Sequence, residues 1–145
     1  MKARILLVIV LLGVVFSTGS VAQDRTYKDG SAWTVSFVQI KNGMGMDYLN
    51  SLRTTWKAVQ DEGIKQGLIL SYKILEGTAS NPDDWQIMLM IEYKNLASME
   101  GNEDKWDAIQ KKVVGSEEDQ KKLREIRVNM RKMYGTKLLR EVVYK

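Results

Sequence analysis

The groups able to move protons in this chain are carboxylates and phenols alone, because it holds no histidine and no cysteine. The carboxylates that fall near ordered elements are Asp47, Asp61, Glu62, Glu76, Glu92, Asp107 and Glu141, and the phenols are Tyr48, Tyr72, Tyr93 and Tyr144. Glu92 and Glu141 sit inside apolar runs that read as strands, where a carboxylate turned inward has a raised pKa and can act as a base. Tyr72, Glu92 and Asp47 are the acid–base candidates on this basis; cross-strand pairing of Glu92 with Lys73 or Arg140 would satisfy it without any chemistry. The missing histidine excludes a Ser-His triad, imidazole-ligated zinc and a proximal histidine for haem. No cofactor and no metal are expected. The methionines Met44, Met46, Met88, Met90, Met130 and Met133 do not form the short repeated cluster that would hold copper(I), and Asn42-Gly43-Met44-Gly45 has too few glycines for a nucleotide loop.

A second kind of chemistry is anion recognition. Arg124, Arg127 and Arg131 follow one flank of a predicted helix, with Arg127 and Arg131 one turn apart and nearest its apolar stripe, so this pair is the candidate clamp for a carboxylate. The plainer reading is a solvated basic face whose stems lie over the core, and the same face could meet a partner protein. Four tryptophans, Trp33, Trp56, Trp85 and Trp106, are spread one per element and read first as core anchors. Trp33 and Trp85 are also the candidates for walls of a pocket between sheet and helices.

These groups are positioned by a single domain behind a leader. Lys2 and Arg4, the apolar run Ile5 to Phe16 and the small residues ending in Ser20-Val21-Ala22 have the order of a cleaved signal peptide, with the cut between Ala22 and Gln23. The run is too short to span a bilayer comfortably. The expectation is an exported, periplasmic or secreted protein with no stable membrane insertion of the mature chain: residues 1–22 a leader, 23–32 a flexible lead-in, and 33–145 one α+β domain. The formal net charge of +4 falls to +2 when Lys2 and Arg4 depart, too mild for a nucleic-acid partner.

Strands are predicted over Trp33 to Ile40, Leu68 to Leu75, Trp85 to Tyr93 and Lys137 to Tyr144. Helical spacing runs through Leu49, Leu52, Trp56 and Val59, then Leu96 to Val113. A last helix is capped by Ser116 and followed by Glu117, Glu118 and Asp119, with the stripe Leu123, Ile126, Met130 and Met133 and a stop at Gly135. The order β-α-β-β-α(α)-β predicts a ferredoxin-like, four-stranded antiparallel sheet with helices on one face. The strand from Trp85 is apolar on both faces. Ile87 and Leu89 belong under the helices, while Met88 and Met90 on the other face need a second cover, most simply a twin subunit.

The segments WTVSFVQIKNGMGMDYLNSLRTTWKAVQDEGIKQGLILSYKIL, DDWQIMLMIEYKNLASME and GTKLLREVVYK together resemble the dimeric α/β-barrel superfamily. Within it the likeness is strongest to small exported bacterial members of unassigned role, with a more distant one to NIPSNAP-type domains. The resemblance implies ferredoxin-like protomers paired sheet to sheet. It also brings three functional expectations: non-catalytic binding of a small hydrophobic or anionic molecule or an envelope-stress role, a cofactor-independent monooxygenase- or isomerase-type enzyme, or a partner-binding module using the basic last helix. A fold shared by oxygenases, isomerases and haem enzymes does not choose among them.

Overall fold

The structure is a computed structural model and describes residues 25–145. The expected leader and its cleavage point at Ala22 and Gln23 lie outside the described residues. Four strands, β1 (Tyr27–Ile40), β2 (Ser71–Glu76), β3 (Ile87–Tyr93) and β4 (Arg131–Tyr144), form one sheet in the order β2-β3-β1-β4. Every neighbouring pair is antiparallel. That order, with β1 and β3 central, is the ferredoxin-like arrangement predicted from the element sequence.

Between β1 and β2 the chain forms α1 (Gly45–Leu52), a π-helical turn (Arg53–Lys57) and α2 (Ala58–Lys65). Between β3 and β4 lie a short 3-10 turn (Ala97–Met99), α3 (Glu103–Val113) and α4 (Glu117–Met130). Among the described residues no helix is long and apolar enough to cross a membrane. The helices cover one sheet face: Val38, Ile87 and Leu89 pack under Tyr48 and Leu52, with Met130 of α4 at the margin. Ala32 and Tyr93 pack with Ile69 and Trp106 towards the other end of the sheet.

Several boundaries differ from the sequence expectation, and each difference has a pairing or packing cause. Strand β1 starts at Tyr27 rather than Trp33, because Tyr27, Lys28 and Asp29 pair with Tyr144, Val143 and Val142; much of the lead-in assigned to 23–32 is therefore sheet. Leu68 and Ile69 are buried core residues in the turn before β2. A shift of the same size as that of β1 falls at the junction of α4 and β4. Arg131 already pairs with Ile40, so Met133 is a strand residue and not the last member of a helical stripe. Gly135, expected to stop the helix, instead lies at φ +133° within β4, beside an irregularity in pairing between Phe37 and Val38; that backbone conformation disfavours any side chain.

The expected helix start is present in full. The Asp119 amide donates to the Ser116 hydroxyl at 3.2 Å and the Ser116 amide donates to the Asp119 carboxylate at 3.0 Å, a reciprocal cap that satisfies two otherwise orphaned donors.

Candidate functional site

The uncovered sheet face carries Trp33, Val35 and Phe37 of β1 opposite Glu92, Met90 and Met88 of β3, with Lys73 and Leu75 of β2 beyond them. Met88 and Met90 are thus on the side away from the helices, partly buried among their strand neighbours but under no helix. Trp33 lies on this face too, with the Lys73 ammonium 5.6 Å from its ring centroid. Trp85 precedes β3 and stacks edge-on against Phe37 at 5.2 Å, so the two candidate pocket walls stand on the bare face rather than between sheet and helices. Strand alternation predicted the reverse for Trp85. It does not apply there, because the residue lies ahead of the strand.

The acid–base candidates are dispersed. Glu92 accepts a hydrogen bond from the Ser71 hydroxyl at 2.6 Å on the bare face. Asp47 is exposed in the first turn of α1. Tyr72, on the helix side, donates to Asp61 at 2.6 Å, and Lys57 donates to the same carboxylate at 2.7 Å. Burial, followed by the neighbouring Asp61 carboxylate, raises the Tyr72 pKa, while Lys57 and then Tyr72 hold that of Asp61 down. The phenol stays protonated and the carboxylate stays paired, the opposite of a poised base. Arg140, the other suggested partner for Glu92, pairs with Asp29 at 2.9 Å.

The arginines are brought together. A cavity of about 310 Å³ lies among the helices. Thr55 and Trp56 of the π-helical turn, Val59 and Gln60 of α2, Gln110 of α3, and Gln120, Leu123, Arg124 and Arg127 of α4 are among its walls. The π-helical turn is built around adjacent threonines. The Thr54 hydroxyl reaches the Asn50 and Ser51 carbonyls at 3.4 Å, and Thr55 bonds Ser51 as well, which compensates carbonyls where the regular ladder widens. Thr55 in turn accepts from the Arg127 guanidinium. Arg127 has no carboxylate partner among the described residues, its Nε is buried with no hydrogen bond, and the Oε1 of Gln60, 5% exposed, is equally unpartnered. Desolvation, followed by the nearby Arg131 charge, pulls the Arg127 pKa down.

Next to this cavity, and sharing Arg124 and Arg127 with it, is an open basin of about 610 Å³ whose walls include Lys41, Arg131 and Lys132. Arg131 donates to the buried Tyr48 hydroxyl at 2.7 Å and lies 5.4 Å from that ring's centroid. Burial raises the Tyr48 pKa, and Arg131 offsets part of that rise. The phenol therefore remains a neutral acceptor for a cation.

The sequence pairing of Arg127 with Arg131 thus corresponds to one continuous basic site, but its inner partners Thr55, Gln60 and Gln120 carried no signal in sequence. Helical spacing gave one weak indication. Gln120, Leu123, Arg127 and Met130 form as regular an i, i+3, i+4 line as Leu123, Ile126 and Met130 do, and it is the first line that faces inward, leaving Ile126 half exposed.

No family model matches this chain, and no curated protein does. Among solved structures it is similar to a dimeric protein of unknown function and ferredoxin-like fold from Bacteroides fragilis, at 13% identity over 79% of this chain and 97% of that one, with a TM-score of 0.42. It is also similar to two dimeric ferredoxin-like proteins from uncultured marine organisms. One is 16% identical over 79% of this chain and 90% of that one, with a TM-score of 0.46; the other is 17% identical over 80% and 96%, with a TM-score of 0.47. The ferredoxin-like assignment of this chain stands on its own strand order.

Proposed function

We propose that this protein is an exported, non-catalytic binding protein for a small amphipathic anion, working as a homodimer. One observation carries the binding reading: Arg127 is held within a cavity, with a buried donor that nothing in the described chain accepts. A buried polar group without a partner costs about 1 to 3 kcal/mol, and more when it is charged. An anion seated against Arg127 removes that cost, and a hydroxyl or N–H on the same ligand would satisfy Gln60. The apolar walls Trp56, Val59 and Leu123 take the body of the molecule. Among the described residues the cavity and basin have no carboxylate in their walls, which favours binding over acid–base turnover. Because Arg127 of α4 and Arg131 at the start of β4 are partly buried and border this space, they do not form an exposed ridge for a protein partner.

The bare face supports the homodimer. Trp33, Phe37, Leu75, Met88 and Met90 form an apolar surface bordered by Lys73, Lys137 and Glu92, charges of both signs that a two-fold related copy can pair. Thioether side chains suit such a seam because they repack readily.

Calorimetric titration of the purified full chain with 1-naphthoate tests the binding reading. Arg127→Met should weaken binding by roughly tenfold or more, as expected when a charge-assisted hydrogen bond worth about 1.5 to 3 kcal/mol is lost. Unchanged affinity in the variant would refute the site. Light scattering should give twice the chain mass, and Met88→Glu together with Met90→Glu should abolish it; a monomeric wild type would sink the dimer.

A further inference from the structure

We infer that the anionic group is a doubly charged phosphoryl carried on an organic body, an inference that rests on the binding reading above and narrows its ligand class. Among the described residues, five cations, Lys41, Arg124, Arg127, Arg131 and Lys132, line the basin, and no acidic residue lines it. They come from the segment after β1, from α4 and from the start of β4, and the titratable group facing them from α1 is the neutral phenol of Tyr48.

Their hydrogen bonds within the fold go to neutral acceptors. Lys41 donates to the Val128 carbonyl at 2.9 Å, Arg131 to the Tyr48 hydroxyl, and Arg127 to the Thr55 hydroxyl. None of the five forms an ion pair among the described residues. Elsewhere the chain does pair its cations, as in Lys57 with Asp61, Lys112 with Glu62 and Arg140 with Asp29. Other cations of the described chain also lack a carboxylate partner, but in this basin five of them border one space.

A single carboxylate offsets one of these charges and engages one guanidinium fork. A phosphoryl group brings close to two negative charges at neutral pH and three acceptor oxygens, which several planar guanidinium groups can share. Arg124 and Arg127 border both spaces. The phosphoryl group sits at this junction, spreading into the basin, while the organic body enters the inner cavity beside Trp56 and Leu123 and presents an O–H or N–H to Gln60.

The test is calorimetric titration of the purified full chain with 1-naphthyl phosphate, 1-naphthoate and inorganic phosphate, at about pH 8 and about pH 5. The second phosphate proton leaves near pH 6, so the probe passes from mostly dianion to mostly monoanion over this range. At the higher pH 1-naphthyl phosphate should bind roughly tenfold or more tightly than 1-naphthoate, with the gap closing at the lower pH. Arg124→Gln, at an exposed position, should weaken the phosphate probe more than the carboxylate. Equal affinities at both pH values would overturn the phosphoryl assignment and leave anion binding standing; no binding of either naphthyl probe would overturn both. Inorganic phosphate binding as tightly as 1-naphthyl phosphate would overturn the part played by the inner cavity. Flotation with phosphatidylcholine vesicles doped with phosphatidic acid separates the sources. Co-flotation lost in Arg124→Gln supports the assignment with a lipid headgroup as source, and soluble-probe binding without co-flotation supports it with a soluble phosphomonoester.

Discussion

Helices α3 and α4 follow one another in the same crossover, yet they are held to the molecule by opposite means. Helix α3 docks through a dry seam: Ile109, 1% exposed, packs with Val59 and Leu68. Its Trp106 indole closes over Gly63, where an added Cβ would come within 2.6 Å of the ring. Helix α4 contains no fully buried residue. Its inward line mixes Leu123 and Met130 with Gln120 and Arg127, and the space it leaves is the cavity. A helix seam can be optimised for apolar burial or left partly polar and open. The first stabilises the fold, and the second leaves unpartnered groups that a ligand can satisfy, at a cost to the stability of the free protein.

The sharpest way to break this comparison is truncation of the two seams. Ile109→Ala should destabilise the protein by about 2 to 5 kcal/mol, the range for a large-to-small change in a closed core. Leu123→Ala, beside existing empty space, should cost well under that. Equal losses by denaturant titration would show that the α4 seam is as tightly packed as the α3 seam. Arg127→Met offers a finer contrast. Replacing a desolvated, unpaired cation with an apolar side chain of similar reach should leave Tm unchanged or raise it, while anion binding falls; a marked drop in Tm would mean the arginine is there for the fold. The smallest effect concerns how α4 begins. Ser116→Ala should cost about 1 kcal/mol through loss of the cap.

The same cap has a pH signature. The Ser116 hydroxyl, followed by its backbone amide, holds the Asp119 carboxyl below its usual pKa. The stabilisation it gives is therefore present above the unfolded carboxylate value, near 3.9, and fades as pH falls through the lower folded one. Acid titration of Ser116→Ala should show a shallower loss of stability across that window; an unchanged slope would place the pH dependence elsewhere.

Local chemistry made much of this architecture legible. Alternation from Ile87 to Tyr93 assigned Ile87 and Leu89 to the covered face and Met88 and Met90 to the bare one, because a strand's side chains have no other choice. Ser116 and Asp119 marked a helix start through a cap that needs only neighbours within four residues. The ends of elements were less legible. Tyr27 to Ser31 look polar and loose until Val142, Val143 and Tyr144 arrive to pair with part of that stretch, more than a hundred residues later in the chain. The π-helical turn depends on how Thr54 and Thr55 settle against carbonyls of the preceding turn, a competition that composition does not resolve.

The amino-acid sequence by itself determined the order of elements, the two-faced central strand, the capped start of α4 and the absence of imidazole and thiol chemistry. Each of these is a property of single residues or of close neighbours. Only the tertiary structure decided that α4 turns Arg127 inward and Ile126 outward. The two residues lie 100° apart on the helix, and either line through Leu123 and Met130 could have faced the core. The roll of α4 is set by long-range contacts: Met130 at the margin of the Val38 and Leu52 cluster, Arg131 pairing with Ile40, and the Thr55 hydroxyl waiting for a guanidinium. That roll turns a basic helix into one wall of a binding site.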